Sequence, residues 1–217
     1  MSHIAESLNV VSLAELVQHV LQSPPKLGPV RLICVDGPAG SGKSTLARRL
    51  RTAVRALAQP PLVQVVHMDD LYEGWTGAEK GVATLREDVL VPLAAGRDGS
   101  YRRYDWHAER YAERHVVRAE GLLIVEGVSS AARGVEPWPS LRIWVETDEA
   151  TRLRRGLERD GEALRPLWEE WMRWEQDHFA ADETRDRADL VVDGSPTVAH
   201  DPETQLVATI SRLPAAG

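Results

Sequence analysis

The stretch that decides the fold is Val30-Arg31-Leu32-Ile33-Cys34-Val35-Asp36-Gly37-Pro38-Ala39-Gly40-Ser41-Gly42-Lys43-Ser44-Thr45. Its first half, Val30–Val35, is an apolar run without alternation, the composition of a strand buried on both faces of a parallel sheet. Its second half, Gly37 to Ser44, fits the eight-residue Walker A pattern. Beyond it, Leu46, Leu50, Val54 and Leu57 recur at helical spacing, so the glycine-rich turn joins a strand to an amphipathic helix. Glycines let the backbone wrap a polyphosphate closely, with successive N–H groups turned to its oxygens, and the helix adds its positive N-terminal end. The segment from Gly37 through Pro38, Ala39, Gly40, Ser41, Gly42, Lys43 and Ser44 to Thr45 is therefore the expected ATP cradle. Lys43 is expected on the β- and γ-phosphates, and the Ser44 hydroxyl on Mg²⁺.

Outward from this segment, Leu62–Met68, Gly121–Val125, Leu141–Val145 and Leu190–Val192 read as further buried strands. Ser12 and Glu15 form a capping box that opens a helix ended by Pro24 and Pro25. Thr84–Ala95 reads as helix with Pro92 as an irregularity. An arginine-rich helix capped by Thr147 or Asp148 runs to about Asp160, and another spans roughly Pro166–Ala181. This alternation predicts a single α/β domain over 1–217: a doubly wound, mostly parallel five-stranded sheet of the P-loop NTPase kinase-like kind. Residues 1–28 are expected to be an N-terminal helix and linker, and about 152–166 a small helical lid.

Composition narrows the partners. The formal net charge of −7 argues against nucleic acid, and no apolar run approaches the ~20 residues of a membrane span. MSHIAESLNV lacks the basic and apolar regions of a signal peptide, so a cytoplasmic location is expected. The single cysteine, Cys34, excludes an intrachain disulfide and a cysteine metal cluster.

Two acidic segments follow expected strands. Asp69 and Asp70 come after His67-Met68, where one carboxylate could accept the proton of an attacking hydroxyl, or orient it and help hold the metal. Leu122–Val125 ends in Glu126-Gly127, a Walker B arrangement with Glu in place of Asp, so Glu126 is a metal candidate. Asp69 and Asp70 could equally be solvated turn residues, whereas for Glu126, beside a Walker A loop, the metal role outweighs that of an acid that merely begins a loop.

With these motifs in order, the chain resembles the uridine kinase family of P-loop nucleoside and nucleotide kinases, from about Ile33 to Gly194. The family's Asp-x-Phe-Tyr corresponds to Asp69-Asp70-Leu71-Tyr72, and its Phe-Glu-Gly to Val125-Glu126-Gly127. The resemblance implies a Mg·ATP-dependent kinase acting on a small-molecule hydroxyl, with Asp69 as base and Ser44, Asp69 and Glu126 around Mg²⁺. Tyr104-Asp105-Trp106 is similar to the family's Tyr-Asp-Phe, which lines the nucleoside pocket. It implies an acceptor side of Asp70, Tyr72, Tyr104, Asp105 and Trp106. Glu109 stands where the family has a base-recognising histidine; an ionised carboxylate accepts hydrogen bonds only, which favours a donor-rich acceptor.

Arg152, Arg154, Arg155 and Arg159 share the arginine-rich helix, and Arg155 and Arg159, four apart, share a face. Arg159 is the candidate for the transferring phosphoryl group, Arg155 for ATP and Arg165 for the acceptor. Trp168, Trp171 and Trp174, near helical spacing, fit core packing better than a binding wall. A nucleoside monophosphate, a sugar or another small metabolite is the alternative acceptor. A guanine-nucleotide switch is disfavoured: the sole asparagine is Asn9, and no aspartate is followed three residues later by glycine.

Overall fold

In the computed structural model, which describes residues 8–211, the apolar runs form the centre of one sheet. The strands are β1 (Asn9–Ser12), β2 (Arg31–Asp36), β3 (Val63–His67), β4 (Gly99–Asp105), β5 (Arg110–Val117), β6 (Leu122–Glu126), β7 (Leu141–Glu146), β8 (Leu190–Asp193) and β9 (Gln205–Ile210). The main sheet runs β1-β9-β8-β7-β2-β6-β3. Its five parallel strands, β3, β6, β2, β7 and β8, are those expected from the sequence. The sheet has seven strands rather than five because β9 adds antiparallel to β8 and β1 antiparallel to β9. The signal-peptide expectation rests largely on residues 1–7, which lie outside the described residues.

Both faces of the sheet are covered, which is why its strands read as unbroken apolar runs. Ile33, Val35, Leu122 and Ile124 pack with α1 (Leu13–Gln22) and α2 (Lys43–Arg55). Leu32, Cys34, Leu123 and Val125 face the opposite core, built by Leu85, Val89 and Leu93 together with Trp171. Ser12 caps α1 by accepting from the Glu15 N–H, as the capping box requires.

The irregularity at Pro92 has a backbone solution. Between α3 (Ala78–Thr84) and α4 (Val91–Ala94) the chain passes through a π-helical segment, Leu85–Leu90. The wider turn lets the helix continue into a residue that has no N–H to donate. β4 and β5 form a separate antiparallel hairpin.

Residues 152–166, expected as a lid, are the body of α5 (Glu149–Asp160), a short turn through Gly161–Leu164 and the start of α6 (Arg165–Asp182). Asp148, not Thr147, caps α5, accepting from the Thr151 N–H at 2.9 Å. Among the described residues no helix is long and apolar enough to cross a membrane.

Candidate functional site

Parallel register brings the strand ends together. Val35 stands opposite Glu126, and Glu126 opposite His67, so the P-loop and both acidic segments open on one edge of the sheet. Gly37, Gly40 and Gly42 all have positive φ. At Gly37 and Gly40 the space is closed as well: a Cβ would meet the Val145 carbonyl at 2.2 Å and the Arg152 carbonyl at 2.6 Å. At Gly42 nothing lies within 4 Å, so the backbone angle alone demands glycine there.

The loop is braced from beneath. Asp36, fully buried, accepts from the N–H groups of Gly37 (2.7 Å), Ser129 (2.9 Å) and Ala131 (2.7 Å). Burial pushes its pKa up to about 7 against these donors and Lys43, which act the other way. From the side, Glu175 of α6 accepts from the Ala39 N–H at 2.8 Å, while Arg152 of α5 donates to the Ala39 carbonyl at 3.2 Å. Arg152 and Glu175 pair at 2.5 Å, so the Ala39 peptide is held at both ends. Glu175 escaped the sequence reading; in the sequence it sits among the tryptophans of a helix, 136 positions from its partner Ala39.

At the mouth of the loop, Ser44 Oγ donates to Glu126 Oε1 at 3.0 Å, and His67 Nδ1 lies 2.5 Å from the same oxygen. That hydrogen bond raises the His67 pKa, opposed by burial. Ser44 and Glu126 offer a hydroxyl and a carboxylate oxygen, donors of the kind that Mg²⁺ takes when phosphate and water would complete its shell. Among the described residues no group of three or more His, Cys, Asp or Glu could hold a metal by itself. The hydroxyl of Ser41, inside the loop, is buried without a hydrogen-bond partner. These residues fit a magnesium–polyphosphate group. Lys43 Nζ rests on the Pro38 carbonyl at 2.9 Å, at the base of the loop.

Asp69 follows β3 on a 3-10 turn, Met68–Asp70. It opens toward solvent, yet the cleft walls withhold water from its carboxyl and push its pKa upward. Glu126 adds to the rise; Lys43, Arg159 and His67 oppose it, so all four charges bear on the same carboxyl. Arg159 lies over the Trp168 ring, which meets Trp75; Trp75 in turn meets Trp106 on the Asp69 carbonyl, so aromatic contacts join the guanidinium to the cleft. Arg155 donates to the Gly40 carbonyl (3.3 Å), the Gly194 carbonyl (3.3 Å) and Ser195 Oγ (2.8 Å), beside the loop.

The acceptor side differs more from expectation. Trp106, 36% exposed, donates its indole N–H to the Asp69 carbonyl at 2.9 Å and meets Tyr104 and Trp75 edge-on. Asp70 turns toward the β4–β5 hairpin, near Tyr101, Arg103 and His115, which the sequence reading did not single out. Tyr72 is corrected: its ring is wholly buried against Trp171, and its hydroxyl donates to the Val128 carbonyl. Asp105 is taken up by the hairpin turn, accepting from the N–H groups of His107 and Ala108, both at 3.0 Å. Glu109 is an exposed turn residue with φ 50°, and its charge bears on Tyr104. Arg165 pairs with Glu162 and Glu169 and lines a surface pocket with Leu153 and Arg154.

Comparisons agree with this architecture. A search of curated proteins gives no match. A "possible uridine kinase" from Bacillus stearothermophilus superposes with TM-score 0.60 at 20% identity, covering 82% of this chain and 96% of that one. A "putative fructose transport system kinase" from Silicibacter sp. gives TM-score 0.51 at 20% identity, covering 82% and 95%. At that identity the likeness is one of fold. Residues 33–167, more than half of the chain, match the family described as AAA domain. The chain therefore belongs to the AAA-domain family, to which ATP binding attaches, and has a P-loop kinase-like fold.

Proposed function

We propose that the protein is a Mg·ATP-dependent small-molecule kinase that transfers the γ-phosphoryl group to a hydroxyl of a nucleoside-like acceptor. The observation that carries this reading is the convergence of charge on one cleft: Ser44 against Glu126 at the P-loop mouth, with Asp69 under the joint influence of Glu126, Lys43 and Arg159. Ser44 and Glu126 would hold Mg²⁺, which would supply charge neutralisation at the phosphates during transfer.

The residues then divide the work. Lys43 leaves the Pro38 carbonyl for the β- and γ-phosphates, while the loop N–H groups hold the chain of phosphates still. Asp69 orients the acceptor hydroxyl and takes its proton. A carboxylate with a raised pKa is the better base for that step. Arg159 faces the three equatorial oxygens, where charge accumulates in the transition state.

A sugar-type acceptor is the second reading. Burial of Tyr72 and the use of Asp105 in a turn leave fewer groups for a nucleobase, whereas the exposed Trp106 ring can stack on a sugar face as well as on a base. The test is ADP formation by purified protein with Mg·ATP against nucleosides, nucleoside monophosphates and sugars. Turnover with a nucleoside supports the first reading and turnover with a sugar alone the second. No ADP above the acceptor-free rate from any of them would overturn both.

A further inference from the structure

Arg159 is gripped from more than one side. Asp160 accepts from its Nε at 2.7 Å and its Nη2 at 2.8 Å. The Trp168 ring lies beneath the guanidinium, 5.6 Å from its carbon, and the indole N–H donates to Asp160 Oδ2 at 3.0 Å. Gly156 makes this possible, since a Cβ there would stand 2.5 Å from the Trp168 ring.

Adjacent residues on a helix do not ordinarily face one another. Asp160 can turn back on Arg159 because α5 ends at once in Gly161, with φ 100°. Two of the five guanidinium N–H groups are used on Asp160, which leaves the others for an anion in the cleft. An exposed ion pair is by itself weak, worth ~0–1 kcal/mol. Here a two-point fork, a ring and a third hydrogen bond define one orientation, which a planar guanidinium can keep and an ammonium could not.

We propose that Asp160 and Trp168 form a cradle that holds the Arg159 guanidinium toward the cleft, and so act as positioning residues for the phosphoryl-transfer step. This rests on the reading of Arg159 as the cation over the transferred group. The cradle explains why a tryptophan with its N–H, rather than any large apolar residue, stands at 168.

The experiment pairs a positional readout with a kinetic one. In ¹⁵N-arginine-labelled protein, the Arg159 Nε–H resonance, assigned by its loss in Arg159→Ala, should move and lose exchange protection in Asp160→Asn and, less, in Trp168→Phe. With the best acceptor, Asp160→Asn should lower kcat at least ~10-fold with KM for ATP within a few-fold. Its melting temperature should stay near that of the wild type, because Asp160 is partly exposed. Guanidinium ion added to Arg159→Ala should restore turnover, and should fail to do so in Arg159→Ala/Asp160→Asn. An unmoved resonance, an unchanged kcat in Asp160→Asn, or equal rescue of the single and double variants would each overturn the cradle. Absence of wild-type turnover with every acceptor would instead remove the kinase reading, and the resonance would still decide the cradle.

Discussion

Asp69 and Asp70 are neighbours in sequence with different surroundings. The Asp69 carboxyl shares its cleft with Glu126, Lys43 and Arg159, whereas Asp70 looks to Tyr101 and the hairpin. Asp69→Asn keeps the size of the side chain but removes the base, so kcat should fall by at least ~100-fold. Asp70→Asn should affect KM for the acceptor more than kcat; single-turnover ADP formation separates the two. The pH profile follows from the same charges. As pH falls through the pKa of Asp69 the carboxyl is protonated and the rate drops, and because burial and Glu126 raise that pKa, the acid limb should lie above the ordinary carboxylate range. Recording kcat from pH 4 to 9 checks this; a limb at the ordinary value, or one that persists in Asp69→Asn, would assign the titration elsewhere. The placement of the P-loop and Glu126 was legible in the sequence because both follow short-range patterns at strand ends. Tyr72 was misread for the opposite reason: whether a tyrosine after a strand turns to the cleft or to the core depends on what packs beneath it, here Trp171.

Among the elements, α5 and α6 shape the side of the cleft. Their crossing depends on Gly156, where the Trp168 ring lies against the helix. Gly156→Ala sets two effects against each other. Alanine is the better helix former by about 1 kcal/mol, but its Cβ would enter the space of a buried ring, an overpacking that costs ~1–3 kcal/mol. Overpacking should win: urea denaturation should show a net loss of stability, and kcat should fall as Trp168 shifts beneath Arg159. A stabilised and fully active variant would mean that the ring moves aside without consequence. The helices themselves were legible from caps and periodicity, as the Ser12 and Asp148 caps illustrate. The antiparallel strands β1 and β9 were not, being short or flanked by polar residues and held in place by pairing with each other and with β8.

Across the whole molecule, the Arg152–Glu175 pair ties two helices to the phosphate loop. Glu175→Ala would leave the Arg152 charge buried alone and the Ala39 N–H without its acceptor, a loss of about 3–5 kcal/mol by analogy with other broken buried pairs. Removing both charges in Arg152→Met/Glu175→Leu should cost less than Glu175→Ala alone, because no orphan charge remains. The double variant should nonetheless bind Mg·ATP more weakly, since the Ala39 peptide is no longer held at both ends. Denaturant titration of the wild type, Glu175→Ala and the double variant, with Mg·ATP titrations of each, checks both parts; a double variant less stable than Glu175→Ala would show that the orphan charge is not what costs stability.

The five parallel strands, the glycine-rich loop and the acid that closes β6 lie within runs of a few residues, so local periodicity and backbone sterics determined them from the sequence by itself. Only the tertiary structure decided which arginine faces the cleft, which aromatic ring is core, and that Glu175 and Asp36 brace the loop. Those outcomes depend on contacts between residues far apart in the chain. At such positions burial and the need to satisfy each buried polar group override what the local sequence would allow.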